Sequence, residues 1–326
     1  PEGMVESAME FLRTCRDMNF DQVVISMKSS NTRVMVHAYR MLTAAMYAEG
    51  MEYPLHLGVT EAGNGIEGRI KSAVGIGALL ADGVGDTIRV SLTEAPENEI
   101  PVAKALVNYF SHRSRATYVR TAYTEVCDPF SYTRRQTIPE GRLGGNNIPL
   151  LYSELNSDEM AALTECRIAL LTANGNDPVS EWRRAITDMQ RSGDTRPVIL
   201  HRSYDTRNTE PIGLEPADDF GVMCIERLAD GIHDEAPGVQ QSDADTIALD
   251  ILQAARARMS KTEFISCPGC GRTLYALHDT LAMIKERLSH LRGLKIGVLG
   301  LIVNGTCELD DADYGFVVAA AAHIYS

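Results

Sequence analysis

The sharpest chemistry in the chain is carried by Ser266-Cys267-Pro268-Gly269-Cys270-Gly271-Arg272-Thr273. A Cys-x-x-Cys turn brings two thiolates to one side of a tight loop, and Gly269 and Gly271 let backbone amides approach the sulfurs. By itself such a turn fits half of a zinc site, a redox dithiol or part of an iron–sulfur site. The reading without chemistry is two reduced surface cysteines in a turn. Zinc calls for a second Cys/His pair, and His278 and His290 are spaced too widely to be one. A thioredoxin-like dithiol follows an early strand of its own fold, which this turn does not. A second polar loop, Asn304-Gly305-Thr306-Cys307-Glu308, follows the apolar run Gly293 to Leu301. Cys307 or Glu308 can complete a site begun by Cys267 and Cys270, whereas Asp310 and Asp311 read as a solvated turn.

These loops need elements to position them. Val23 to Lys28, Leu55 to Thr60 and Ile88 to Thr93 are short β-rich runs at near-constant spacing, separated by helical patterns over Arg33 to Glu49 and Arg69 to Leu80 and preceded by one over Gly3 to Met18. Strand and helix alternating in this way predict βα units and a parallel sheet. Each run ends in polar residues: Lys28-Ser29-Ser30-Asn31, Thr60-Glu61-Ala62-Gly63, and Ser91 leading to Glu94. Chemistry in a (β/α)₈ barrel sits on the loops at the carboxyl ends of its strands. Three strands cannot close a barrel, so either the chain begins within one, which is the favoured expectation, or the sheet is an open α/β one. Tyr118 to Gly145 is loop-rich. Further βα patterns follow, with strands at Ile148 to Leu155, Arg167 to Ala173 and Pro197 to His201 and helices at Asp158 to Thr164 and Ser180 to Ser192. Glu235 to Asp245 reads as a linker, Ala244 to Met259 as a helix, and Lys261 to Ser326 as the segment that carries the chemistry-bearing cysteines.

Composition narrows the field. The chain has 326 residues, a formal charge of −13, a pI near 5.1 and 44% hydrophobic residues. That is enough for a core, and too acidic for a general nucleic-acid or anionic-membrane binder. No run of about twenty apolar residues spans a membrane, and Pro1-Glu2-Gly3 does not open a signal peptide. Seven cysteines do not suggest a disulfide framework. Cys15, Cys127, Cys166 and Cys224 read as buried thiols, and a reducing cytoplasm is the expected compartment.

The residues also carry a resemblance. Ser26-Met27-Lys28-Ser29-Ser30-Asn31, Leu57 to Gly63, Asp82 to Thr93, Cys267 to Leu274, and Ile302-Val303-Asn304-Gly305 with Glu308 and Ala312 to Gly315 stand in an order that resembles the 4-hydroxy-3-methylbut-2-enyl diphosphate synthases of the methylerythritol phosphate route to isoprenoids. The likeness covers nearly the whole chain and implies the three-domain form. Residues 1–110 would be the C-terminal part of a TIM-like (β/α)₈ barrel, 111–243 an inserted α/β domain, and 244–326 a small α/β iron–sulfur domain. The resemblance implies reductive ring opening and dehydration of 2-C-methyl-D-erythritol 2,4-cyclodiphosphate by a [4Fe-4S] cluster, with electrons from ferredoxin or flavodoxin. It implies a cytoplasmic enzyme (plastid stroma in a plant) and a possible homodimer.

Carried across position by position, Cys267, Cys270 and Glu308 would ligate the cluster, with Asn304 beside them. Lys28, Arg89 and Ser91 would hold the diphosphate, with Ser29 and His56 as neighbours. Glu61 would be the acid that assists proton transfer or hydroxyl loss. Without that support Lys28 reads as a solvated lysine and Glu61 as a loop acid, while Arg89 is costly to bury unless paired. His201, His233 and the other scattered histidines suggest only surface or core roles.

Two positions depart from the family. Leu301 stands where the third cysteine is usual, and Thr306-Cys307 replaces Pro-Gly. Cys307 could substitute only if the loop rearranged, because six residues separate it from the usual position, and turnover by the chain as it stands is expected to be impaired. The alternatives are a cluster-free relative with a structural or metal-binding role, and a barrel phosphate enzyme whose Cys-x-x-Cys turn is incidental.

Overall fold

The computed structural model describes residues 1–111, 133–204, 213–266, 273, 275–300, 309, 312–318 and 322–325. Helices α1 (Glu2–Asp17), α2 (Thr32–Ala48) and α3 (Gly65–Ala81) alternate with three short parallel strand segments. Ile25 bridges Leu55, and Ser29 bridges Val59. β1 (His56–Leu57) pairs with β2 (Thr87–Ile88) in the register His56↔Thr87 and Leu57↔Ile88. α2 starts where the Asn31 side chain accepts hydrogen bonds from the Arg33 and Val34 amides, a cap for the open first turn. Along the strands burial alternates with the period of a pleat. Ile25, Met27, Leu55, Leu57, Val59, Val90 and Leu92 pack into the core, while Ser26, Lys28, His56 and Arg89 occupy the other face. α4 (Glu99–Ser111) follows.

The middle of the chain builds a second parallel sheet. β3 (Leu150–Leu151), β4 (Ala169–Thr172), β5 (Val198–Ser203) and β6 (Gly231–Glu235) lie in the order β3-β6-β5-β4. Helices α5 (Ser157–Thr164), α6 (Pro178–Arg191) and α7 (Leu214–Ile225) connect them, and α8 (Gln241–Ala254) follows β6. α3 packs on both α7 and α8. A Cβ built on Gly221 would lie 2.7 Å from the Val74 side chain, so the α3–α7 contact requires glycine there. One continuous core runs from the barrel strands through this contact to Trp182 and Phe220, whose rings stack at 5.1 Å. A buried charge network crosses the same boundary. Arg40 binds Asp82 at 2.8 Å and Glu226 at 2.6 Å, and Arg183 binds both acids.

The last sheet, in the order β10-β9-β8-β7, joins β7 (Glu263–Ser266), β8 (Lys295–Leu299) and β9 (Tyr314–Val318) in parallel and adds β10 (Ala322–Tyr325) antiparallel. α9 (Leu277–Leu288) covers it, burying Leu277 and Leu281 with Phe264, Ile296 and Val298.

Several sequence expectations change. Glu235 to Asp245 is not a linker: Glu235 ends β6 and α8 begins at Gln241. Polar residues at a strand end and a helix start imitate linker composition. Cys224 is buried as expected, but Cys15 is half-buried and Cys166 is exposed in a turn at φ 60°. Cys127 lies outside the described residues. Among those residues no helix is long and apolar enough to cross a membrane.

Candidate functional site

The polar face of the barrel strands gathers three bases. His56 and Thr87 stand opposite each other in the register, and their side chains meet at 2.7 Å between Nδ1 and Oγ1. Two residues further along, Gly58 leaves room for Lys28. A Cβ there would lie 3.1 Å from Lys28 Cε and 3.0 Å from the Arg89 carbonyl, so the lysine stem crosses the strand toward Arg89. Arg89 donates to Ser91 Oγ at 3.4 Å. Beneath them the buried Tyr39 hydroxyl donates to the His56 carbonyl at 2.6 Å and accepts from the Met27 amide at 2.8 Å, pinning the first two strands together.

The electrostatics follow from this crowding. Burial, then the charge of Arg89, pulls the Lys28 amine below the ordinary lysine value. Burial, then Lys28 and Arg89, lowers His56. No described carboxylate pairs with any of the three. Arg89 is exposed, so the burial penalty expected from its place in an apolar run does not arise; the pleat turns it out. Ser91 is buried beside it. Ser29 has a local task, since its hydroxyl accepts the Asn31 amide at 3.1 Å and its carbonyl accepts the Thr60 amide at 3.1 Å.

Glu61 is 2% exposed and takes φ 54°, a left-handed conformation at the carboxyl end of the second strand. The next residue, Ala62, bridges Ser266 in parallel, which brings the last sheet to this edge. Thr93 donates to the Ser266 carbonyl at 3.2 Å, and the two hydroxyls lie 2.8 Å apart. Lys71 pairs with Glu263 at 2.8 Å inside the same contact.

Cys267, Cys270, Asn304, Cys307 and Glu308, with Leu301, lie outside the described residues. Their flanks are described. β7 ends at Ser266, one residue before Cys267. β8 runs parallel to it with Ser266 opposite Val298, so the two candidate loops leave one edge of one sheet, at the barrel's carboxyl edge. In donor type, thiolates with a carboxylate suit an iron–sulfur cluster. Among the described residues no group of three His, Cys, Asp or Glu side chains is arranged to hold a metal ion.

Sequence reading missed Thr87, Thr93, Tyr39, Gly58, Lys71 and Ser266. The alternate spacing of Thr87, Arg89, Ser91 and Thr93 was the available signal for the first two. It also gave His201 and His233 no role beyond core or surface. Tyr152, directly after β3, His233 on β6, His201 on β5 and Thr172 on β4 form a row, with ring centroids at 3.8 and 4.4 Å. His201 meets Glu235 and Thr172 at 3.0 Å each. Burial, then His201, pushes His233 down to about 4.

Known proteins match this organisation. The GcpE TIM-barrel domain matches residues 1–104, and the GcpE protein C-terminal domain matches residues 263–326. Over 99% of its length the chain is 41% identical to the 4-hydroxy-3-methylbut-2-en-1-yl diphosphate synthase (flavodoxin) of Porphyromonas gingivalis and covers 64% of it. The same-named protein of Phocaeicola vulgatus is 40% identical over 99% of the chain, which covers 66% of it. That of Leptospira interrogans is 32% identical over 100% of the chain, which covers 67% of it. The chain thus spans 64 and 66% of the length of the first two relatives.

Proposed function

The chain belongs to the GcpE family of 4-hydroxy-3-methylbut-2-en-1-yl diphosphate synthases, and from that premise we propose that it acts in the reductive opening and dehydration of 2-C-methyl-D-erythritol 2,4-cyclodiphosphate. The observation that carries this reading is the trio Lys28, His56 and Arg89, three bases on one strand face with no described carboxylate to neutralise them. Like charges held together in this way favour an anion over any neutral ligand.

In this reading Lys28 and Arg89 bind the phosphoryl oxygens, the lysine as a point charge and the guanidinium as a fork. His56 and Ser91 add hydrogen bonds, and the strand register fixes the diphosphate across them. Glu61, at the junction with the last sheet, holds the proton that accompanies hydroxyl loss. Cys267, Cys270, Cys307 and Glu308 would hold the [4Fe-4S] cluster, with Asn304 beside it. When bound, the cluster would relay, one at a time, the two electrons from the reduced donor that accompany ring opening and release of the hydroxyl as water. The names of the relatives support flavodoxin as the donor. We also propose the three-part division of the chain, with α8 assigned to the inserted unit because it packs on β6, β3, α3 and α7.

The test is conversion of the cyclic diphosphate by the anaerobically reconstituted full chain with reduced flavodoxin. Product from the wild type, at the impaired rate expected of a chain with Leu301 in the third-cysteine position, and none above background from Lys28→Met are expected. Equal rates in both would contradict the assignment.

A further inference from the structure

The space beside Arg89 has a second wall. Arg89, Leu92, Glu94 and Glu99 from the barrel side and His278 from α9 line a cleft of about 640 Å³. Its two acids are already engaged. Glu94 binds Arg69 at 2.9 Å and accepts the Gly65 amide at 2.7 Å, and Glu99 accepts the Leu92 amide at 2.8 Å. Among the described residues Arg89 makes only its 3.4 Å contact with Ser91. His278 is exposed, and its side chain makes no hydrogen bond or ion pair within the described residues. Among the described residues the uncommitted polar side chains facing the cleft are therefore a guanidinium and an imidazole, both suited to donate to an anion.

The placement of His278 is firm. Its neighbour Leu277, with Leu281, is buried against the last sheet, so the first turn of α9 is anchored while the imidazole is exposed. The same helix is tied to the barrel by Lys285, which donates to the Asn64 side chain at 2.5 Å. The sheet under it is held by the Thr93–Ser266 and Lys71–Glu263 contacts.

We infer that His278 is a phosphoryl-binding residue supplied by the C-terminal unit, so that the anion site is completed only where that unit docks on the barrel. The inference rests on the diphosphate reading above and adds to it a residue from the far side of the cleft.

Calorimetric titration of the full chain with inorganic pyrophosphate, at fixed pH and salt, tests it with Arg89→Gln, His278→Gln and His278→Lys. His278→Gln is expected to weaken binding roughly tenfold, the size of one charge-assisted hydrogen bond. His278→Lys is expected to restore most of the loss, which a merely structural histidine would not allow. Because His278 is exposed, unchanged melting temperatures should accompany both variants. Wild-type affinity in His278→Gln beside weakened binding in Arg89→Gln would overturn this inference and leave the diphosphate reading standing. Wild-type affinity in both would overturn the two together.

Discussion

At Lys28, burial and the nearby Arg89 both disfavour the charged amine, and Gly58 is the position that lets the lysine stem reach that neighbour. Gly58→Ala would set a methyl against the Arg89 carbonyl, which is backbone and cannot swing aside. It is therefore expected to raise the KM for the cyclic diphosphate several-fold while lowering stability by about 1–3 kcal/mol, as steady-state kinetics and urea unfolding would show. His233 gives a second expectation. Its folded value of about 4 lies below the ordinary histidine range near 6.5. The unfolded chain thus takes up a proton that the folded chain refuses. The contribution is fully present above about pH 6.5 and is lost as pH falls toward 4. His233→Gln should flatten the pH dependence of unfolding in that window, and an unchanged slope would count against the burial argument. Lys28, Glu61, Arg89 and Ser91 stand out in the sequence as polar residues interrupting or ending apolar runs, while the roles proposed for them come from the family resemblance. Gly58 was not, since nothing local shows that a side chain from another strand crosses it.

Between elements, the α3–α7 contact has the tightest tolerance. Gly221→Ala is expected to destabilise the protein by about 1–3 kcal/mol through overpacking against Val74. Glu226→Gln would leave Arg40 and Arg183 without their shared buried acid. It should lower the urea midpoint more than Gly221→Ala, in line with the roughly 3–5 kcal/mol lost when one partner of a buried ion pair is removed. Helices α1, α2 and α3 and the strands between them were readable because apolar and polar positions alternate at the helical and pleated periods. α7 and β6 were not. Every residue of α7 except Glu215 is buried, so no polar stripe marks a helix, and the run merges with the apolar start of β6.

For the whole molecule, the docking of the last sheet on the barrel joins residues 173 and 192 positions apart in the chain. Separation on that scale is why the pairing of Thr93 with Ser266 and of Lys71 with Glu263 carried no signal in the sequence. The contact has a measurable signature. Thr93→Val keeps the shape and removes the hydroxyl, and combined with Lys71→Met it should speed hydrogen exchange in β7 about tenfold or more, while β5 and β6 keep their protection. The most direct test of the central claim, that the three strands present a cationic face built for a diphosphate, is an NMR titration of His56 in the full chain with and without saturating pyrophosphate. His56 should titrate below the ordinary histidine value in the free protein, and rise when the anion offsets Lys28 and Arg89. A His56 that titrates in the ordinary range and does not move with pyrophosphate would contradict the account.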